Sequence, residues 1–330
     1  MFKNKKILID GGSGSWGNEL TTQLLEKDPK KIIIFSRGEL AQVNMQRKFN
    51  NDKIEFVIGD IRDADAVDRL FQRGIDYVFH LAALKHVPVC ENQPQEAIKT
   101  NITGTINLIN SSIKYGVKKF IDVSTDKAVS PTNLYGMSKA IGEKLTIQAN
   151  NITNNTEFVC VRGGNVLGSN GSVVPHFINQ IKNENRVTIT DSTMTRYFLT
   201  LPEAISLLFE ASEKSVGGET FVMNMPSFYI RDLAEVLIDH YGNLDTRIDE
   251  VGIREGEKIH EVLISEHESA NSYKLNENYY VILPSININR DYSYLNEKQK
   301  VDFVTFSSED NLKDNEFLYK LLLKGNFLKK

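Results

Sequence analysis

Tyr135 and Lys139 lie four residues apart in the run Tyr135-Gly136-Met137-Ser138-Lys139. On a helix that spacing places both on one face, within reach of a single reactive centre. A lysine ammonium beside a tyrosine lowers the phenol pKa, which suits it to take a proton from an alcohol during hydride transfer. Just upstream stands Ser124-Thr125-Asp126-Lys127. Asp126 and Lys127 add an acid and a base that a plain dehydrogenase does not need, and the surplus points to a lyase that borrows redox chemistry. The plainer alternatives are a surface ion pair at 126–127 and a half-buried aromatic at 135. The joint spacing argues against them, because reactive groups count when they cluster with a cofactor site.

Such a site is legible at the N-terminus. Lys6-Ile7-Leu8-Ile9-Asp10 reads as a short buried strand, Gly11-Gly12-Ser13-Gly14-Ser15-Trp16-Gly17 follows it, and Asn18 to Lys27 carries apolar residues at helical spacing. Strand, glycine-rich turn and helix in that order predict a dinucleotide site. Gly11, Gly14, Ser15, Trp16 and Gly17 would face the pyrophosphate at the helix N-terminus. The second strand, Lys31 to Phe35, ends at Ser36-Arg37. An acidic residue there would bind the ribose hydroxyls of NAD; Arg37 pairing with a 2′-phosphate, with Ser36 donating to it, favours NADP, and NAD is the alternative. A third strand, Ile54 to Ile61, places Asp60 and Ile61 at its end, near the adenine. A fourth, Tyr77 to Leu81, runs into Ala82-Ala83-Leu84-Lys85, where small residues let a cofactor lie against backbone.

The bulk properties fit. A chain of 330 residues can bury a large core. At 41% hydrophobic and 25% charged it has an ordinary soluble composition, and a net charge of −4 argues against a broad nucleic-acid footprint. No apolar run approaches the roughly 20 residues of a membrane span, and the N-terminus lacks a signal peptide's apolar core. Cys90 and Cys160 have no metal spacing and read as reduced thiols of a cytoplasmic protein. His86, His176 and His260 lack partners at ligand spacing, so no metal site is expected.

Strands alternate with helices to about residue 163. Further helices are expected over 64–74, 95–115 and 133–150, and further strands over 118–124 and 157–162. The pattern predicts an α/β fold: a Rossmann-like doubly wound parallel sheet over residues 1–163 with a smaller C-terminal, mainly substrate-binding domain over 164–330. No flexible linker divides them, so the chain is expected to cross back to the first domain. Residues 163–200, rich in Gly, Asn, Ser and Thr, suggest loops that hold a polar ligand. Residues 214–330 suggest short mixed elements, irregular over 284–294.

The glycine turn, Leu81-Ala82-Ala83-Leu84-Lys85, Ser124-Thr125-Asp126-Lys127-Ala128 and Tyr135-Gly136-Met137-Ser138-Lys139 together resemble the extended short-chain dehydrogenase/reductases. More narrowly, the chain resembles the UDP-N-acetylglucosamine 4,6-dehydratases of bacterial surface-sugar synthesis. Segments 164–169, 171–175, 190–191 and 194–196 add to the likeness, and Gly252-Ile253-Arg254-Glu255-Gly256-Glu257-Lys258-Ile259-His260-Glu261 is among its most specific parts.

The resemblance implies a reaction sequence. Oxidation at C4 of the sugar acidifies the C5 proton, water leaves across C5 and C6, and hydride returns to C6. Tyr135 would be the base for the C4 hydroxyl, with Lys139 tuning it and holding the nicotinamide ribose. Thr125 would bond the C4 oxygen, Lys127 would remove the C5 proton as a neutral amine, and Asp126 would protonate the departing hydroxyl. Partial desolvation and the nearby Lys139 charge would favour the neutral amine. For substrate, the resemblance implicates Lys85 at the cofactor–substrate boundary, Asn165 on the sugar or its diphosphate, Arg196 and Glu257 near the nucleotide and Arg254 on the diphosphate, with Val173 and Thr195 as further substrate-binding residues. A structural salt bridge is the alternative for Arg196 and Glu257.

Asp10, Gly163 and Asn170 depart from the family pattern. Asp10 is expected to be mildly repulsive to the pyrophosphate, and the other two border the sugar pocket. Retaining relatives often carry Met where this chain has Tyr135, so Tyr135 leans towards inversion at C5. The resemblance also implies a homo-oligomer. A nucleotide-sugar 4-epimerase, which needs no acid and base at 126 and 127, is the alternative enzyme. A cofactor-binding regulatory protein is the alternative outside enzymes.

Overall fold

Apolar runs without alternation belong to strands buried on both faces, as in parallel sheets covered by helices. The computed structural model, which describes residues 1–169 and 171–328, follows that rule. Strands β1 (Lys6–Asp10), β2 (Lys31–Ser36), β3 (Ile54–Ile58), β4 (Tyr77–His80), β5 (Lys119–Thr125) and β6 (Glu157–Gly163) lie parallel in the order β3-β2-β1-β4-β5-β6. Helices α1 (Ser15–Leu25), α2 (Glu39–Phe49), α3 (Ala64–Phe71), α4 (Val87–Asn92), α5 (Pro94–Ile98), α6 (Gly104–Lys114) and α7 (Leu134–Gln148) occur between them. The strand order reverses between β1 and β4, and the crevice at such a switch point is where a doubly wound sheet binds ligands.

The sheet does not end with residue 163. Strand Thr220–Met223 pairs parallel with β6, and the antiparallel strands Tyr279–Ile282 and Ser272–Asn276 extend it to nine. The second half thus adds strands to the same sheet that carries the glycine turn after β1. It also forms a second core, in which Phe177, Ile181, Phe198, Phe228, Leu237 and Leu322 pack together. Among the described residues, no helix is long and apolar enough to cross a membrane. Nor does any group of three His, Cys, Asp or Glu there form a metal cluster.

Three local expectations change. The helix expected over 95–115 is broken into α5, a π-helical turn at Lys99–Thr103 and α6. Such turns often mark functional positions. Here the turn carries Asn101, whose amide accepts from Leu84 N and donates to Leu84 O and to Ser138 Oγ, tying the fourth strand's exit to α7. Residues 163–200, expected as loops, hold helix Val173–Glu184 and strands Arg186–Ile189 and Thr195–Leu199. Pro175 falls in that helix's first turn, where no backbone N–H is required. Asp10, expected to face the pyrophosphate, turns under the glycine loop instead. Its Oδ1 accepts from Leu81 N and Ala82 N at 3.1 and 2.8 Å and lies 2.8 Å from His80 Nδ1.

Candidate active site

The glycine turn between β1 and α1 borders a cleft of about 620 Å³. Gly11 adopts φ +63°, and a Cβ on it would lie 2.8 Å from Ala82 Cα, so the turn and the Ala82-Ala83 segment press together only because residue 11 is glycine. Helix α1 begins at Gly14 without a side-chain cap, leaving its first N–H groups directed at the cleft. Gly14, Ser15, Trp16, Gly17, Ala82, Ala83, Lys85 and Tyr135 all line the same cavity. A bare cradle, an uncapped helix N-terminus and a hydroxyl-bearing aromatic at its far end fit a nicotinamide dinucleotide.

The far end of the cleft is acid–base in character. Strand β5 delivers Thr125, and a single 3₁₀ turn over Asp126–Ala128 turns the chain back to α7. Asn133 caps α7 by accepting from Gly136 N. A Cβ on Gly136 would meet Lys127 O at 2.2 Å, so the glycine lets α7 begin directly against this turn. Tyr135 and Lys139 are thereby held beside Thr125, Asp126 and Lys127. Thr125 Oγ1 donates to Asp126 Oδ1 at 2.8 Å. Lys127 Nζ donates to the same oxygen at 3.0 Å and lies 3.1 Å from Glu261 Oε1. Asp126 is fully buried, and its Oδ2 has no protein partner.

Two electrostatic expectations reverse. Burial alone would push the Lys127 ammonium down, but Asp126 and Glu261 outweigh it, and the pKa is raised. Lys127 rests as a cation; the Lys139 charge does not make it neutral. For Tyr135, burial raises the phenol above its ordinary value, while the Lys139 and Lys127 charges and a Thr125 hydrogen bond pull it back only in part. Lys139 itself is committed to Asp122 on β5, with Nζ 2.9 Å from Oδ1. A neighbouring cavity of about 140 Å³ adjoins this cluster, sharing Lys127 and Asn165 with the main cleft and adding Arg196, Glu257, Lys258 and Glu261.

The other expected residues divide. Val173, at the start of its helix, and Gly163 line the main cleft; Asn170 lies outside the described residues. Ser36, Arg37 and Asp60 stand at the ends of β2 and β3, beyond the walls of that cavity. Ser36 Oγ already contacts Ser13 Oγ and Gln42 Nε2, and Asp60 is gripped by Arg62, with Arg37 Nη1 3.9 Å away. The Ile61 side chain is core packing against Gly104, which leaves only its backbone for a ligand. Thr195 is fully buried, with Oγ1 between His260 Nδ1 and Ser308 Oγ, and lines neither cavity. Arg196 braces backbone, donating to the carbonyls of Thr195, Ile259 and Lys258, and its acidic neighbour is Glu261, not Glu257. Glu257 faces the smaller cavity and pairs loosely with Arg254 at 3.9 Å; Arg254 is exposed and lines neither cavity.

Glu261 and Asp122 were not singled out from the sequence. A carboxylate inside the apolar run Phe120-Ile121-Asp122-Val123 is itself a signal, because a buried charge needs a partner. Glu261 closes the Gly252–Glu261 segment, so its neighbourhood was marked although its role was not.

Known proteins bear on this geometry. A family model described as polysaccharide biosynthesis protein matches residues 7–283. A Campylobacter jejuni protein named UDP-N-acetylglucosamine 4,6-dehydratase (inverting) is 45% identical over 322 residues, covering 94% of both chains. A Rickettsia canadensis protein named UDP-glucose 4-epimerase is 40% identical and covers 99% of this chain and 98% of its own. Among solved structures, Pen from Bacillus thuringiensis superposes with a TM-score of 0.93 at 38% identity, covering 99% of this chain and 100% of its own. With a doubly wound sheet, a glycine cradle and Tyr135 and Lys139 on one helix face, the chain belongs to the polysaccharide biosynthesis protein family, on the extended short-chain dehydrogenase/reductase fold.

Proposed function

We propose that this protein is a UDP-N-acetylglucosamine 4,6-dehydratase that inverts C5, uses NADP and works as a homo-oligomer in bacterial surface-sugar synthesis. The observation that carries the reading is the placement of Asp126, Lys127 and Glu261 at the end of a dinucleotide cleft that also holds Tyr135. A 4-epimerase exchanges hydride at C4 and has no use for that surplus. The Campylobacter relative supports the same reading by its name. Arg37, standing with Ser36 where β2 ends and an acidic residue would mark an NAD site, supports NADP.

A nicotinamide dinucleotide in the cleft supplies the acceptor for the C4 hydride and the donor for C6. Tyr135 Oη takes the C4 hydroxyl proton, and the Lys139 and Lys127 charges stabilise the phenolate against its burial. Thr125 Oγ1 and the unpartnered Asp126 Oδ2 lie beside this centre, and Asp126 delivers a proton to the C6 hydroxyl. Lys127 removes the C5 proton. Asn165, shared by both cavities, orients the sugar, and Lys85 and Val173 wall the cleft around it.

The test is incubation of the purified protein with UDP-N-acetylglucosamine and NADP in D₂O, followed by mass spectrometry and NMR. The expected product is lighter by one water, corrected for deuterium, with the C5 coupling pattern of the inverted sugar. An isomer of unchanged mass establishes the epimerase instead.

A further inference from the structure

Glu261 is the one acidic neighbour of Lys127 that the mechanism above leaves without a task. It is 2% exposed, reaches Lys127 Nζ from the opposite lobe at 3.1 Å, and lines the smaller cavity beside Asn165. Its backbone is pinned on both sides: Glu261 N donates to Ser308 Oγ, and Ser308 N donates to Glu261 O. Arg196 Nε lies 3.7 Å from Oε1, while both Nη atoms of Arg196 are spent on carbonyls. Glu261 Oε2 is buried and has no protein hydrogen-bond partner. Buried carboxylate oxygens ordinarily find partners, and around these cavities Asp126 Oδ2 and Glu257 Oε2 are open as well, but only Asp126 and Glu261 contact Lys127.

The chemistry supplies one. Lys127 rests as an ammonium beside Asp126 and Glu261, and an ammonium cannot take a proton from C5. Asp126 cannot relieve it, because Asp126 must hold a proton of its own for the departing hydroxyl. Resting on the dehydratase reading, we infer that Glu261 is a positioning residue that takes one proton from Lys127 and so frees the amine to act as the base. In that step an N–H bond of Lys127 breaks, an O–H bond forms on Glu261, and the electron pair stays on nitrogen. Charge is conserved within the pair, which passes from ammonium and carboxylate to amine and acid. Lys127 then takes the C5 proton, the C–H electron pair moves into the bond to C6, and hydroxide leaves with the proton of Asp126 as water. C5 then takes a solvent-derived proton on the face opposite Lys127, as inversion requires, and Glu261 gives up its proton to solvent, which restores ammonium and carboxylate. The charged and titratable groups around Lys127 are Asp126, Glu261, Arg196, Lys258 and Tyr135, and with Asp126 committed to the departing hydroxyl, Glu261 is the carboxylate in contact with Lys127 that can take this role.

The test compares wild type with Glu261→Gln, whose amide keeps the shape but cannot hold the proton. Substrate-driven reduction of NADP, read by absorbance, should stay within a few-fold of wild type. C5 exchange with D₂O and loss of water should fall by about 100-fold or more. Independently of turnover, NMR of ¹³Cε,¹⁵Nζ-lysine protein, assigned with Lys127→Ala, should show the Lys127 ammonium titrating at lower pH in Glu261→Gln. Equal loss of both reaction steps, full retention of C5 exchange, or an unmoved Lys127 titration each overturns the inference. Should Glu261→Gln not fold, Glu261→Asp carries the test, since its shortened acid should slow water loss and spare C4 oxidation. A wild type that yields only an isomer overturns the dehydratase reading and this role with it, whereas an unmoved titration beside normal wild-type dehydration overturns this role alone.

Discussion

Lys139 Nζ donates to Asp122 Oδ1 at 2.9 Å inside the fold, with side chains 4% and 0% exposed. Burial by itself would push the ammonium down; Asp122 and the nearby Tyr135 and Cys160 reverse that, and the pKa is raised. The cation that tempers Tyr135 is therefore maintained by a carboxylate one strand beneath it.

Asp122→Asn removes that support. Burial then governs Lys139, its ammonium deprotonates at lower pH, and the charge that stabilises the Tyr135 phenolate is lost as pH rises. The expected outcome is a C4-oxidation rate close to wild type at low pH that falls off on the alkaline side earlier than wild type does. A pH profile of single-turnover NADP reduction measures this, and a profile parallel to wild type would exclude Asp122 from the role.

Lys127→Ala separates the two halves of the reaction. The alanine cannot take the C5 proton, and it also leaves Asp126 and Glu261 facing one another without a cation. Water loss should drop by about 10²- to 10⁴-fold, the usual worth of a positioned acid or base, while some cofactor reduction persists. Mass spectrometry of the product beside absorbance of the cofactor reads both quantities. Dehydration at the wild-type rate sinks the assignment of Lys127.

Much of the site was legible because it is local. The strand, glycine turn and α1 are contiguous, and Thr125 to Lys139 span one turn and one helix, so spacing alone brought their side chains together. What escaped depends on closure over long sequence separations. Glu261 reaches Lys127 from a different lobe, and Asp122 acquires meaning only when Lys139 folds over it. The helix at Val173–Glu184 was masked by the Gly and Ser residues before it and by Pro175, a residue that a first turn accommodates. Thr195, whose segment carries the family pattern, sits on a strand paired with Ser227–Tyr229 and is buried in the interior, a placement that its sequence neighbourhood did not signal. Electrostatic signs were the least legible, because the balance between burial and partner charges depends on which carboxylates are within hydrogen-bond reach.

Arg37 carries the cofactor preference. It is half exposed at the end of β2, and among the described residues its ionic contact is the long one to Asp60, a carboxylate already occupied by Arg62. A 2′-phosphate would find the guanidinium available. Arg37→Ala should raise the Kd for NADP by roughly ten- to a hundredfold, the range of a charge-assisted hydrogen bond, and change that for NAD little. Calorimetric titration of both dinucleotides decides; equal weakening removes the 2′-phosphate contact.

Gly136→Ala tests whether the approach of α7 to the Asp126–Ala128 turn positions the site. The added Cβ meets Lys127 O at 2.2 Å, backbone that cannot move aside like a side chain. Overpacking of this kind costs about 1–3 kcal/mol. The melting temperature should fall, and both cofactor reduction and water loss should drop, because Tyr135 and Lys127 shift relative to each other. Unchanged kinetics with unchanged stability would show that the contact is not needed.

The last prediction concerns acid stability. Arg162 on β6 donates to Glu143 of α7 and to Glu268 of the short helix Glu266–Ser269, joining the two lobes through one buried guanidinium. Burial would raise the Glu268 carboxyl, but the hydrogen bonds and charge of Arg162, with Ser265 donating as well, lower it from 4.5 to about 2. A carboxyl depressed by folding stabilises the native state fully above its unfolded pKa. That stability disappears as pH falls through the window from about 4.5 to about 2. The shift corresponds to a stabilisation on the order of 3 kcal/mol. Glu268→Gln should therefore be less stable than wild type at pH 7, with the gap narrowing as the medium is acidified through that window. Urea melts of both proteins from neutral pH downwards measure the gap, and a gap independent of pH would mean that the Arg162–Glu268 contact stabilises by packing and hydrogen-bond geometry without its charge.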